Sequence, residues 1–94
     1  MRIEWSSTAN KDALSIIEYI SEDDPVSALA LIEAIEEGLE AVAELPEMGR
    51  IVPEFMIPSI RELIIKEHYR VIYEIRTEVI LVSTIRHARR KPLT

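Results

Sequence analysis

The stretch 61-RELIIKEHYRVIYEIRTEVILVSTIRHARR-90 decides the fold. β-Branched and aromatic residues fill three blocks, separated by Lys66-Glu67-His68 and Arg76-Thr77-Glu78, breaks of hairpin length. In the first block Arg61, Leu63 and Ile65 alternate with Ile60, Glu62 and Ile64. In the second, Tyr69, Val71, Tyr73 and Ile75 alternate with Arg70, Ile72, Glu74 and Arg76. A strict period of two through the third sets Val79, Leu81, Ser83 and Ile85 against Ile80, Val82 and Thr84. The stretch therefore predicts a three-stranded antiparallel meander. One face is nearly all apolar; the other mixes Ile72, Ile80 and Val82 with Arg70, Glu74 and Arg76. A cationic cluster, Arg86-His87-Ala88-Arg89-Arg90-Lys91, ends it.

Upstream, Pro46, Gly49, Pro53 and Pro58 mark a surface connection, in which Phe55, Met56 and Ile57 are expected to tuck under the sheet edge. The segment from Pro25 to about Leu45 reads as a helix. Its buried stripe is expected to be Leu29, Ile32, Ile35, Leu39 and Val42, with Glu33, Glu36, Glu37, Glu40 and Glu44 opposite. Asp24 can accept from its first free amides, and Pro25 lacks the amide that would be unpaired there. Gly38 inside the helix costs up to ~1 kcal/mol relative to alanine, which a close approach by the preceding helix would explain. That preceding helix starts at the capping oxygens of Ser6-Ser7-Thr8, carries Ala9, Ala13, Ile16, Ile17 and Ile20 on one face, and ends near Ser21. Ile3 and Trp5 alternate with Arg2 and Glu4 as in a short half-buried strand. The expected fold is α+β: an N-terminal short strand and an antiparallel helical hairpin packed on the C-terminal meander, one domain over residues 1–94.

Composition is globular, with 48% hydrophobic and 30% charged residues. Without cysteine there is neither a disulfide framework nor a thiolate site, and two distant histidines suggest no metal. No cofactor is expected. No apolar run approaches the ~18 residues of a membrane span, and the start lacks a signal-peptide pattern, so a cytoplasmic protein is expected. The net charge of −6 is unevenly spread. Residues 1–49 hold two bases against twelve acids, net −10, whereas residues 50–94 hold nine bases against five acids, net +4. From Asp12 to Glu47 there is no Lys or Arg. The average therefore excludes no anionic partner.

Read in order, Ala9…Leu14…Ile17, Asp24-Pro25…Ala28, Leu45-Pro46…Gly49-Arg50, Arg61-Glu62-Leu63, Tyr69-Arg70-Val71-Ile72-Tyr73-Glu74-Ile75 and Ile85-Arg86-His87-Ala88-Arg89-Arg90 resemble the RelE/ParE superfamily of type II toxins, the ParE branch most closely. The resemblance spans nearly the whole chain. It implies the same α+β fold and a partner antitoxin that wraps and neutralises the toxin, with operator DNA reached only through that antitoxin. It also implies one of two targets: DNA gyrase for ParE-like members, or mRNA in the ribosomal A site for RelE-like members.

Each target asks for different residues. RNA cleavage needs a group to activate the 2′-hydroxyl, cations around the phosphate and an acid for the leaving oxygen. Arg61, Arg70, His87 and Arg89 are the candidates, His87 having an unperturbed pKa near ~6.5. Against cleavage, the chain has only Lys11, Lys66 and Lys91 and a pI of about 4.9. Gyrase inhibition needs no catalytic group, and Arg86, His87, Arg89, Arg90 and Lys91 are then the candidate target contacts. For the antitoxin, the expected surface is Arg70, Ile72, Glu74, Ile80 and Val82, on the sheet face the helices leave uncovered. A degenerate toxin that only binds its antitoxin is the third reading. Simpler roles compete: Arg61 and Arg70 as ion-pair partners of neighbouring glutamates, Tyr69, Tyr73 and Trp5 as packing residues, and His87 as a solvated strand-end residue.

Overall fold

Two hydrogen-bonded turns fold the decisive stretch into its meander: His68 N–H donates to Ile65 O at 3.3 Å, and Arg76 N–H to Val79 O at 2.9 Å. The computed structural model describes residues 1–89. Its elements are β1 (Arg2–Trp5), α1 (Ser7–Ser21), α2 (Pro25–Glu44), a 3-10 turn (Pro46–Met48), β2 (Arg50–Ile51), β3 (Ile60–Ile65), β4 (Tyr69–Ile75) and β5 (Val79–His87). The sheet is five-stranded and mixed, in the order β1-β5-β4-β3-β2, with β1 parallel to β5 and every other pair antiparallel. The α+β expectation holds, and the meander gains a strand on each side. The N-terminal strand joins the sheet itself, with Ile3 beside Ile80 and Trp5 beside Val82. The two-residue β2 was not foreseen.

Both helices start as their capping residues require. Ser6 Oγ accepts from Ala9 N–H at 3.0 Å, and Asp24 accepts from Ser27 N–H at 3.1 Å, with Pro25 at the first helical position. The Ser27 hydroxyl and amide also hold the Asp24 carboxyl below its usual value. The buried stripe of α2 is Ala28, Leu31, Ile35, Leu39 and Val42, a rotation from the expected one: Leu29 lies 56% exposed and Ile32 only partly buried. Periodicity alone could not separate the two stripes, because Leu29 and Leu31 are equally apolar and the sheet selects between them. Gly38 faces β3 instead of α1. A Cβ there would lie 3.0 Å from the Leu63 side chain and 3.1 Å from that of Ile65.

The core lies between the helices and one sheet face, which we call the helix face. It combines Ala9, Leu31, Ile35 and Leu39 with Ile65, Val71, Val82 and Ile85, while Val42 packs with Tyr73 and Ile80. Ile80, Val82 and Ile85 cannot share a face in a regular strand. They do so because β5 carries a bulge: Ile72 pairs with Thr84 and Tyr73 with Val82, leaving Ser83 as an extra residue. This corrects the strict alternation expected for β5, and with it the placement of Ile80 and Val82 on the uncovered face. The bulge is held from outside the sheet. Ser6 hydroxyl donates to Ser83 O at 2.8 Å, and the Asp12 carboxylate on α1 accepts from Ile85 N–H at 3.0 Å and from the Thr84 hydroxyl. Beyond Trp5 no β1 residue remains to take that Ile85 amide, and Asp12 takes its place.

The Lys66–Glu67 turn has φ of 53° and 66°, the left-handed pair of a type I′ hairpin, at residues that carry side chains. Replacing Glu67 with glycine removes a strained side chain from that region, so Glu67→Gly should stabilise the fold by about 0.5–1 kcal/mol. Chemical denaturation of the two proteins checks this. The Asp24 cap has a defined pH window. Its folded pKa is depressed, so its contribution is complete above ~4 and is lost as pH falls through the lowered value. The stability difference between wild type and Asp24→Ala, measured by thermal melts from pH 6 to pH 2, should accordingly shrink at the acid end.

Candidate functional site

Successive strand residues point to opposite faces, so the cationic end of β5 is divided. Arg86 pairs with Arg70 on the far face, away from the helices; His87 pairs with Tyr69 on the helix face. The Tyr69 ring meets His87 edge-on at 5.3 Å, and the His68 ring stacks parallel to it at 5.9 Å. Arg89 N–H donates to His87 Nδ1 at 3.2 Å, and Ala88 N–H to His68 O at 2.6 Å, which binds the end of β5 to the preceding hairpin turn. With Ser15, Ile16 and Tyr19 of α1, Tyr69 and His87 line a cavity of about 250 Å³. Arg89 is exposed; Arg90 and Lys91 lie outside the described residues.

Arg70 sits at the centre of a charge cluster on the far face. Its Nε donates to Glu62 Oε1 at 2.6 Å, and its two terminal nitrogens form a fork on Glu54, both at 2.8 Å. Glu62, whose side chain has no exposed surface, also accepts from Arg50. Glu54 is the largest influence holding the Arg70 guanidinium further into its charged form, and Glu62 adds to it. The fork explains where residues 53–58 go. Their one anchored side chain, Glu54, reaches across the far face to Arg70, while Phe55, Met56 and Ile57 are left exposed instead of tucked under the sheet edge.

Arg61 points the other way. From the helix face its guanidinium donates to three carbonyls, Pro58 at 2.9 Å, Glu47 at 3.1 Å and Gly49 at 3.0 Å. Beside it the Tyr73 hydroxyl, wholly buried, donates to Pro46 O at 2.7 Å and accepts from Gly49 N–H at 3.0 Å. Burial raises the Tyr73 pKa, opposed by the Gly49 hydrogen bond and the nearby Arg61 charge. Gly49 has ordinary extended backbone, and its need is for space: a Cβ would stand 2.5 Å from Tyr73 Oη and 2.7 Å from Glu62 O. The spaced residues Leu45-Pro46…Gly49-Arg50 thus form the fastening between α2 and the sheet.

The four nuclease candidates therefore do not form one cluster. Arg61 and Arg70 lie on opposite faces, each engaged with groups of its own chain, and only His87 and Arg89 adjoin. Of the residues expected to meet an antitoxin, Ile80 and Val82 have no exposure and lie beneath the helices, and Ile72, on the far face, is 2% exposed. Arg70 is buried in its cluster; Glu74, partly exposed and paired with Arg76, remains accessible. Glu54 escaped the sequence reading, which offered glutamates neighbouring Arg61 and Arg70 as ion-pair partners; Glu62 is one, for Arg70. Glu62 had a signal, an acid sharing one strand face with Ile60 and Ile64. Elsewhere, Trp5, Ala13, Leu14, Ile17, Ile32 and Ile35 line an apolar groove of about 390 Å³, with Asn10 and Glu36 at its rim. Among the described residues no group of three or more His, Asp or Glu side chains is placed to hold a metal, and no helix is long and apolar enough to cross a membrane.

Residues 3–92 match the family model described as the ParE toxin of the type II toxin-antitoxin system parDE. The chain belongs to that family. It is a type II toxin, and membership implies an antitoxin partner. Among curated relatives it is similar to "Toxin RelE2" of Caulobacter vibrioides, 27% identical over 89 residues, covering 95% of this chain and 97% of the relative. It is also similar to "Putative toxin Y4kP" of Sinorhizobium fredii, 34% identical over 88 residues, covering 93% and 88%. The solved chromosomal ParDE system from P. aeruginosa contains a chain of the same fold, with a TM-score of 0.72, 20% identity, and coverage of 93% of this chain and 95% of that one.

The charge cluster of this ParE-family chain holds buried charges that depend on one another. Removing a buried charge partner leaves the other uncompensated, which typically costs ~3–5 kcal/mol. Arg70→Ala, which leaves the buried Glu62 with only the largely exposed Arg50, should lose stability on that scale in urea denaturation, whereas Arg50→Ala, at the exposed end of the same cluster, should lose about 1 kcal/mol or less.

Proposed function

We propose that this ParE-family toxin acts by binding DNA gyrase, without catalysing a reaction of its own, and is released from action when its antitoxin binds it. The observation that carries this reading is the separation of Arg61 from Arg70, with both guanidiniums held by carbonyls or carboxylates of the chain. Cleavage of RNA would need cations aimed at one phosphate. A binding mechanism needs only surface, and His87, Arg89 and the following Arg90 and Lys91 are the target contacts we assign. The three lysines and the pI of about 4.9 support the same reading, since a ribosome-directed toxin would gain from a basic surface.

One observation favours ribosome-dependent mRNA cleavage as the second reading. His87 lies beside Tyr69 at the rim of a cavity, where an imidazole could move a proton.

Purified gyrase supercoiling of relaxed plasmid, run beside in vitro translation, separates the readings. The expected result is blocked supercoiling with unaffected translation, and retention of the block by His87→Ala. Arrested translation with cleaved mRNA, abolished by His87→Ala, would replace the proposal with the nuclease reading. No response in either assay would leave a toxin that only binds its antitoxin.

A further inference from the structure

Among the described residues, five arginines and four glutamates lie on or beside the far face of the sheet, and all but one of them are paired. Arg2 meets Glu4, Arg76 meets Glu74, Arg50 meets Glu62, and Arg70 meets Glu54 and Glu62. Arg86 is the exception. Its Nε is buried and has no hydrogen-bond acceptor, and among the described residues no carboxylate is paired with it. A guanidinium stays charged at any physiological pH, and a desolvated donor with no acceptor is unfavourable in the free protein. Cross-strand from Arg86 stands Arg70, its charge already neutralised, and beyond Arg70 in the same row stands Ile64, 45% exposed.

We propose that Arg86 is the receptor for one carboxylate of the antitoxin, from a segment that crosses the far face and covers Ile64. The inference rests on the toxin–antitoxin reading and adds to it the position and chemistry of a contact. A single acid matches the single uncompensated charge. It would also meet the guanidinium as Glu54 and Glu62 meet Arg70 one strand away, by charge-assisted hydrogen bonds. A nucleic acid fits this face less well. Successive phosphates would be brought against Glu4, Glu54 and Glu74, and exposed apolar surface at Ile64 would gain nothing from them.

The test uses the full chain and its antitoxin, co-expressed, separated and recombined. Arg86→Gln should weaken the complex about 30-fold or more. It should not lower the melting temperature of the free toxin, because Arg86 holds no described partner there. Neutralising each antitoxin Asp or Glu in turn, in wild-type and Arg86→Gln backgrounds, should find one acid whose substitution weakens binding to the wild type and has little further effect on the variant. Unchanged affinity of Arg86→Gln, or a loss with no acid coupled to it, would overturn the proposal. So would a loss confined to labelled duplex DNA or single-stranded RNA, which would reassign Arg86 to a phosphate. Failure of the wild-type toxin to bind any antitoxin would instead reject the partner reading itself.

Discussion

A carboxylate with no exposed side-chain surface lies inside this sheet, and the arrangement of its far face follows from the need to satisfy it. Glu62 is held by Arg70 and Arg50, and Arg70 in turn draws in Glu54 from the segment between β2 and β3. An isolated buried carboxylate would be costly, and one matched by a single cation would still leave lone pairs open. Here both Glu62 oxygens accept and all three kinds of Arg70 nitrogen donate. The cluster therefore does more than join two strands. It fixes β2 at the edge through Arg50 and brings residues 53–58 across a face that the helices never reach.

On the helix face a second fastening uses neutral groups and one cation. Tyr73 reaches from β4 to the 3-10 turn, where Pro46 and Gly49 take its hydroxyl, while Arg61 closes the neighbouring carbonyls. Consequently Arg61 and Arg70, which in the sequence look like two members of one cationic set, belong to two structural systems facing apart. Arg89, just past the end of β5, is by contrast exposed.

Much of this was open to reading from the chain. The meander followed from three β-branched blocks and two short breaks, and the helical hairpin from Asp24-Pro25 between two apolar stripes. Ser6 and Asp24 do cap their helices. What escaped was decided by contacts between residues distant in the chain. The bulge at Ser83 depends on Ser6 and Asp12, more than seventy residues earlier, and without them a period of two is the correct extrapolation. Leu29 and Leu31 are indistinguishable until the sheet is present. The pairing of Arg70 with a neighbouring glutamate could be read from the strand pattern, but its second partner, Glu54, sixteen residues away, has no local pattern.

The parallel pairing of β1 with β5 also orders events in time. Residues 2–5 are made first, but among the described residues their strand partner is residues 79–82, and α1 is seated on the bulge that follows. Chains grow from the N-terminus, and contacts this remote in sequence form late. Ile3, Trp5 and the inner side of α1 must therefore wait, uncovered, until β5 has been synthesised. A nascent chain has no complete core until β5, residues 79–87, has emerged.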